Sequence, residues 1–123
     1  MIITLQLIVI RSSDMAKAAA FYTRLGFLLT LHRHGEEVEH YAAELSGAVF
    51  EIYPLADVAP PTTGTRIGFG VPSLSAAIAA LETYPGAVIQ EPKDSPWGKR
   101  AVIVDPDGHR VELIQQQYPQ PTA

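Results

Sequence analysis

Hydrophobic residues fall along this chain in two rhythms. Residues 2 to 11, IITLQLIVIR, are dense in Ile, Leu and Val, the composition of a buried strand. SSDMAKAAAFYTRLGF then changes the period, with Ala18, Phe21, Tyr22 and Leu25 at helical spacing. Ser12, Ser13 or Asp14 is placed to cap that helix, and Gly26 to stop it. FLLTLHRH and EHYAAEL read as two strands joined by a turn around His34, Gly35 and Glu36. After Ser46-Gly47, AVFEIYPL reads as a further strand. The first half is thus strand, helix, strand, strand, strand.

Residues 54 to 64, PLADVAPPTTG, are rich in Pro, Thr and Gly and read as a linker. The pattern then restarts. TRIGFGV predicts a strand, and SLSAAIAALETY a helix with Ser73 or Ser75 near its N-cap and Pro85-Gly86 at its end. AVIQEP, KRAVIVD and HRVELIQQ predict three more strands, the last two joined at Asp107-Gly108. The tail QQYPQPTA reads as frayed.

The two halves overlay. Asp14 and Ser73, the helix caps, lie 59 positions apart, as do Ile8 and Ile67. Gly47 and Gly108 lie 61 apart, as do Glu51 and Glu112, each four residues after its glycine. One small insertion reconciles the two offsets, so the chain reads as a duplication. The expected organisation is one domain over 1–123, made of modules 2–53 and 65–116 with 54–64 between them.

Composition narrows the function. Of 123 residues, 47% are hydrophobic and 18% charged, enough apolar content for a packed core. Nine Lys and Arg against thirteen Asp and Glu leave a formal net charge of −4. That balance argues against nucleic-acid binding, which needs a basic surface, and no basic tract suggests anionic lipid. There is no cysteine, so disulfides, cysteine nucleophiles and thiolate metal sites are excluded together. The opening MIITLQLIVI is too short to span a bilayer and lacks the basic start of a signal peptide. A cytoplasmic location is expected, with no nucleic-acid or membrane partner.

IVIRSSDMAKAAAFYTRLGF, with its Phe-Tyr followed by Leu-Gly-Phe, and PWGKRAVIVDPDGHRVELI, with its Asp-Pro-Asp-Gly turn, carry a resemblance. They resemble the opening and closing segments of the vicinal oxygen chelate superfamily of glyoxalases, bleomycin-resistance proteins and extradiol dioxygenases. The resemblance implies an α+β fold, two βαβββ modules in tandem forming a cupped mixed sheet with helices outside. It also implies a homodimer and a small-molecule ligand held in the cup.

In metal-dependent members each half supplies a His on its leading strand, seven residues before the helix-capping residue, and a Glu on its last strand. Here those positions hold Leu7, Glu51, Arg66 and Glu112. Leu binds no metal, and Arg carries a fixed positive charge and no lone pair. No cofactor is therefore expected, the alternative being a divalent metal at Glu51 and Glu112. Strand alternation aims Val49, Glu51 and Tyr53 into the expected cup, with Arg110, Glu112 and Ile114 and with Arg66, Gly68 and Gly70. Leu5, Leu7 and Val9 complete its floor, and Arg66 is expected among Glu51 and Glu112. Trp97 is expected on a loop at the rim, as a stacking or lid residue or packed on its own hairpin. His40 or Tyr41 is expected to touch a ligand, His32 and His34 to lie at a surface turn, and His109 to be a solvated turn residue.

Two functions follow. One is metal-independent binding of a small molecule, as in the bleomycin-resistance branch, with Arg66, Trp97, Leu7, Tyr53, Gly68, Arg110 and Tyr41 as ligand contacts. The other is a glyoxalase-like lyase or isomerase, with Glu51 or Glu112 as base and a divalent metal or Arg66 as electrophile.

Overall fold

The computed structural model describes residues 1–33, 35–56 and 59–116. His34 and the tail from Gln117 onward lie outside them. The chain divides into two compact units, Met1–Gly64 and Thr65–Ala123.

The first unit holds β1 (Leu7–Ser12), α1 (Met15–Arg24), β2 (Thr30–His32), β3 (His40–Leu45) and β4 (Ala48–Pro54). Its sheet order is β1-β4-β3-β2, with β1 parallel to β4 and the other pairs antiparallel. The second holds β5 (Ile67–Val71), α2 (Leu74–Ala80), β6 (Val88–Lys93), β7 (Arg100–Val104) and β8 (Arg110–Gln115). Its order, β5-β8-β7-β6, repeats the first with β5 parallel to β8. The duplication read from spacing is thus a duplication of topology, and the fold is the expected α+β pair of modules.

Both caps fall where that overlay needs them. The Asp14 carboxylate accepts from Lys17 N at 3.1 Å, and the Ser73 hydroxyl from Ala76 N at 3.2 Å. Gly26 follows α1 at φ 111°, a conformation costly for any residue with a Cβ. One face of each sheet is sealed by its helix. Ile10, Phe21, Tyr22, Phe50 and Ile52 are buried in the first unit, where the Tyr22 ring meets Phe21, Phe27 and Phe50 edge-on. Ile67, Phe69, Leu74, Ile103, Val111 and Leu113 are buried in the second. The other face of each sheet is the open face.

Three elements are shorter than their apolar pattern suggests. β1 begins at Leu7, because its partner β4 offers nothing upstream: Leu7 pairs Val49, and Val49 N closes the edge on Gln6 O at 2.8 Å. Met1, Ile2, Ile3 and Leu5 are exposed. β2 keeps three residues, since β3 faces it only across His40–Ala42. α2 stops at Ala80, four residues short of Tyr84. A residue before proline avoids the helical region, and the last turn unwinds into the turns Tyr84 N to Leu81 O and Ala87 N to Tyr84 O. Residues after Pro54 are not a free linker: Thr62 Oγ1 accepts from Arg11 N at 2.9 Å.

Candidate functional site

Strand registers order the open face of the first unit into cross-strand rows. Val9 pairs Glu51, Glu51 pairs Ala42, and Ala42 pairs Thr30. Beside that row Arg11 pairs Tyr53, and His32 pairs His40. The second row is a ladder of flat groups. The Arg11 guanidinium lies 5.9 Å from the Tyr53 ring centre. Tyr53 stacks on His40 at 4.3 Å with 5° between planes, and His40 on His32 at 5.5 Å and 14°.

His40 is the centre of this arrangement. Its side chain is buried, its Nδ1 donates to Val38 O at 2.9 Å, and its Nε2 lies 3.4 Å from Glu51 Oε2. The carbonyl can only accept, so Nδ1 carries a hydrogen. Burial, reinforced by the charges of Glu51 and Glu37 and opposed by Arg11, raises the Tyr53 phenol above its ordinary value. A cavity of about 620 Å³ opens here, lined by residues that include His32, His40, Ala42, Glu44 and Glu51. That volume lies in the ordinary range for small-molecule pockets, and Ala42 leaves its floor low.

Alternation puts His40 and Tyr41 on opposite faces of the sheet. His40 shares the face of Glu51. Tyr41 pairs Ile52 and so lies on the helix-covered face. Leu7 is half exposed on the open face, opposite Val49.

In the second unit Gly68 pairs Glu112, Glu112 pairs Val102, and Val102 pairs Gln90. This row matches Val9, Glu51, Ala42 and Thr30 in the first unit. Glu112 Oε1 accepts from Arg66 and, at 3.0 Å, from Arg100. The Arg66 side chain is 79% exposed and Arg100 29%, so the pairing is reached partly from solvent. Arg110 lies two residues from Glu112 on the same face of β8. A Cβ on Gly68 would meet only ordinary contact with Glu112, so this glycine is not forced by crowding. Trp97 is 79% exposed on the turn closed by Ser95 N to Gly98 O and Gly98 N to Ser95 O, both 3.0 Å, and is not packed onto its hairpin.

His109 departs from expectation. It is wholly buried, its Nδ1 is 2.8 Å from Asp105 Oδ2, and Asp105 Oδ1 accepts from Asp107 N and His109 N. An Asp two to four residues before a backbone donor is the signal that spacing alone offered for such a turn. Ligand atoms of Asp105, Asp107 and His109 lie within 4.8 Å of one another. The Asp105 carboxylate, however, is consumed by the turn it organises.

The chain belongs to the Glyoxalase/Bleomycin resistance protein/Dioxygenase superfamily, whose sequence profile matches residues 4–113. Among its relatives is a probable lactoylglutathione lyase of Vibrio cholerae serotype O1, 30% identical over 121 residues, covering 88% of this chain and 87% of the relative. TnmS3, an antibiotic binding protein from Streptomyces sp. CB03234, shares the fold at TM-score 0.76 and 28% identity, covering 94% of this chain and 98% of that one. A glyoxalase/bleomycin resistance protein from the same Streptomyces superposes at TM-score 0.71 and 28% identity, covering 91% and 100%.

A metal in the family's usual position does not fit these residues. Leu7 and Arg66 offer no lone pair where imidazoles stand in metal-dependent members. Glu112 is bound by two guanidiniums, and Glu51 faces His40. Among the described residues no helix is long and apolar enough to cross a membrane.

Proposed function

We propose that this protein binds a small organic molecule without a metal, at the open face of its first unit. The observation that carries the reading is the buried His40, stacked between Tyr53 and His32 and set beside Glu51 at the edge of the cavity. Stacked on both faces, His40 has only its ring edge to present, and an aromatic edge meets the face of a flat ligand ring favourably. Glu51, whose Oε2 lies 3.4 Å from His40 Nε2, brings a carboxylate to the lining of the cavity. A carboxylate facing a cavity calls for a hydrogen-bond donor. The ligand is therefore a planar molecule carrying hydroxyl or amino donors. The likeness to TnmS3, described as an antibiotic binding protein, supports a small-molecule ligand.

Ala42→Leu tests the reading, because it fills the floor without touching a charge. A panel of planar hydroxylated and aminated aromatics, read by NMR of the His32, His40 and Tyr53 ring protons, is expected to yield a binder that Ala42→Leu excludes. A panel in which none moves those signals sinks the reading, as does one in which Ala42→Leu leaves binding intact.

The relationship to a probable lactoylglutathione lyase favours a second reading, in which Glu51 acts as a base on a bound thiohemiacetal. Formation of lactoylglutathione, lost in Glu51→Gln, would select it over simple binding. A homodimer is part of the proposal, supported by the exposed apolar residues Met1, Ile2, Ile3 and Leu5. Light scattering at micromolar concentration reads it directly.

A further inference from the structure

The second unit carries a charge pattern unlike the first. On its open face Arg66, Arg100 and Arg110 stand against one acid, Glu112. Two of the guanidiniums converge on the same oxygen, Glu112 Oε1. A carboxylate held by two guanidiniums leaves a positive surplus, and each guanidinium has five N–H donors of which Glu112 uses few. The acid therefore orients the two forks without neutralising them.

One further donor lies in the same cross-strand row. Gln90 Nε2 is a buried nitrogen without a hydrogen-bond partner, the one such side-chain atom found among the described residues. Gln90 pairs Val102, which pairs Glu112, so this amide stands two strands from Glu112 on the same face, beside the strand that carries Arg100. An orphaned buried donor is uncommon in a folded protein and calls for an acceptor. Gly68, opposite Glu112, projects no side chain into the space between.

We infer that the open face of the second unit binds an organic carboxylate, with Arg66 and Arg100 holding its charge and Gln90 donating to a second acceptor on the same molecule. A carboxylate is the assignment because the two guanidiniums already hold one, that of Glu112, and because planar forks match its geometry. The inference concerns the second unit alone and goes beyond the binding reading of the first.

The test is a titration of the ¹⁵N-labelled full chain at fixed ionic strength with benzoate, with its neutral isostere benzamide, with 4-acetylbenzoate and with inorganic phosphate. Arg66 and Arg100 Nε–H and the Gln90 amide are the reporters. Benzoate is expected to shift the Arg66 and Arg100 signals, 4-acetylbenzoate, which carries a second acceptor, to shift all three, benzamide none, and phosphate to bind more weakly than benzoate. Arg66→Gln, at an exposed side chain whose loss the fold tolerates, is expected to weaken benzoate about ten-fold. Glu112→Gln raises the local charge by one and is expected to tighten benzoate, which a merely structural acid would not do. Benzamide binding as well as benzoate overturns the inference, as does phosphate binding more tightly, Arg66→Gln without effect, or Glu112→Gln weakening benzoate. Because the His32, His40 and Tyr53 signals report the first unit separately, failure here leaves the proposed function standing, and the reverse.

Discussion

Replacing Asp105 by Ala removes the acceptor of a wholly buried turn. Oδ1 accepts from Asp107 N at 3.0 Å and His109 N at 2.9 Å, while Oδ2 lies 2.8 Å from His109 Nδ1. Neither side chain of the Asp105–His109 pair is exposed to solvent. Alanine removes the acceptor that two backbone donors and a buried imidazole nitrogen share. Breaking a buried pair from one side costs about 3–5 kcal/mol. For a chain of this length that is a fall in melting temperature of about 12–20 °C. Asp105→Asn keeps an oxygen for both backbone donors and disturbs only the contact with the ring. It is expected to cost about 1–2 kcal/mol. Urea unfolding read by the fluorescence of Trp97, the single tryptophan, follows the unit in which Asp105 sits. A loss below about 1 kcal/mol for Asp105→Ala would refute the claim that this carboxylate organises the turn.

Two further outcomes follow from the first unit and from the metal positions. The Tyr53 phenol is raised above 10.0, chiefly by burial, so the folded state holds its proton at a pH where the unfolded chain has lost it. Stability is complete below pH 10 and falls as pH rises through the folded value, and Tyr53→Phe is expected to lessen that alkaline loss while leaving the neutral range unaffected by this linkage. An unchanged alkaline limb would contradict it. Equilibrium dialysis against nickel, zinc or manganese, with elemental analysis, is expected to show no stoichiometric ion at Glu51 or Glu112. A stoichiometric ion lost in Glu51→Gln or Glu112→Gln would return the chain to the metal-dependent branch of its family.

Much of this protein was legible along the chain. Repeated spacings located both helix caps, both late turns and the two acids, because caps and positive-φ glycines are set by local chemistry. Period-two alternation named the open-face residues of β4, β5 and β8, because a strand has no other way to divide its side chains. That Leu7 and Arg66 have no electron pair to give a metal likewise needs no coordinates.

Other features belonged to tertiary structure. Strand length was one: the apolar run from Ile2 predicts a longer β1, but a strand lasts only as long as its partner, and the parallel β4 begins only at Ala48. The role of each histidine was another. His109 looks like any turn residue in sequence, and only the packed turn buries it against Asp105. His40 could not be preferred over Tyr41 until β3 was paired with β4, because a shift of one residue exchanges the faces. The ladder of Arg11, Tyr53, His40 and His32 draws on four strands spread over residues 11 to 53. Local chemistry decides where elements begin and turn; register decides which side chains meet, and register exists only once the sheet is closed.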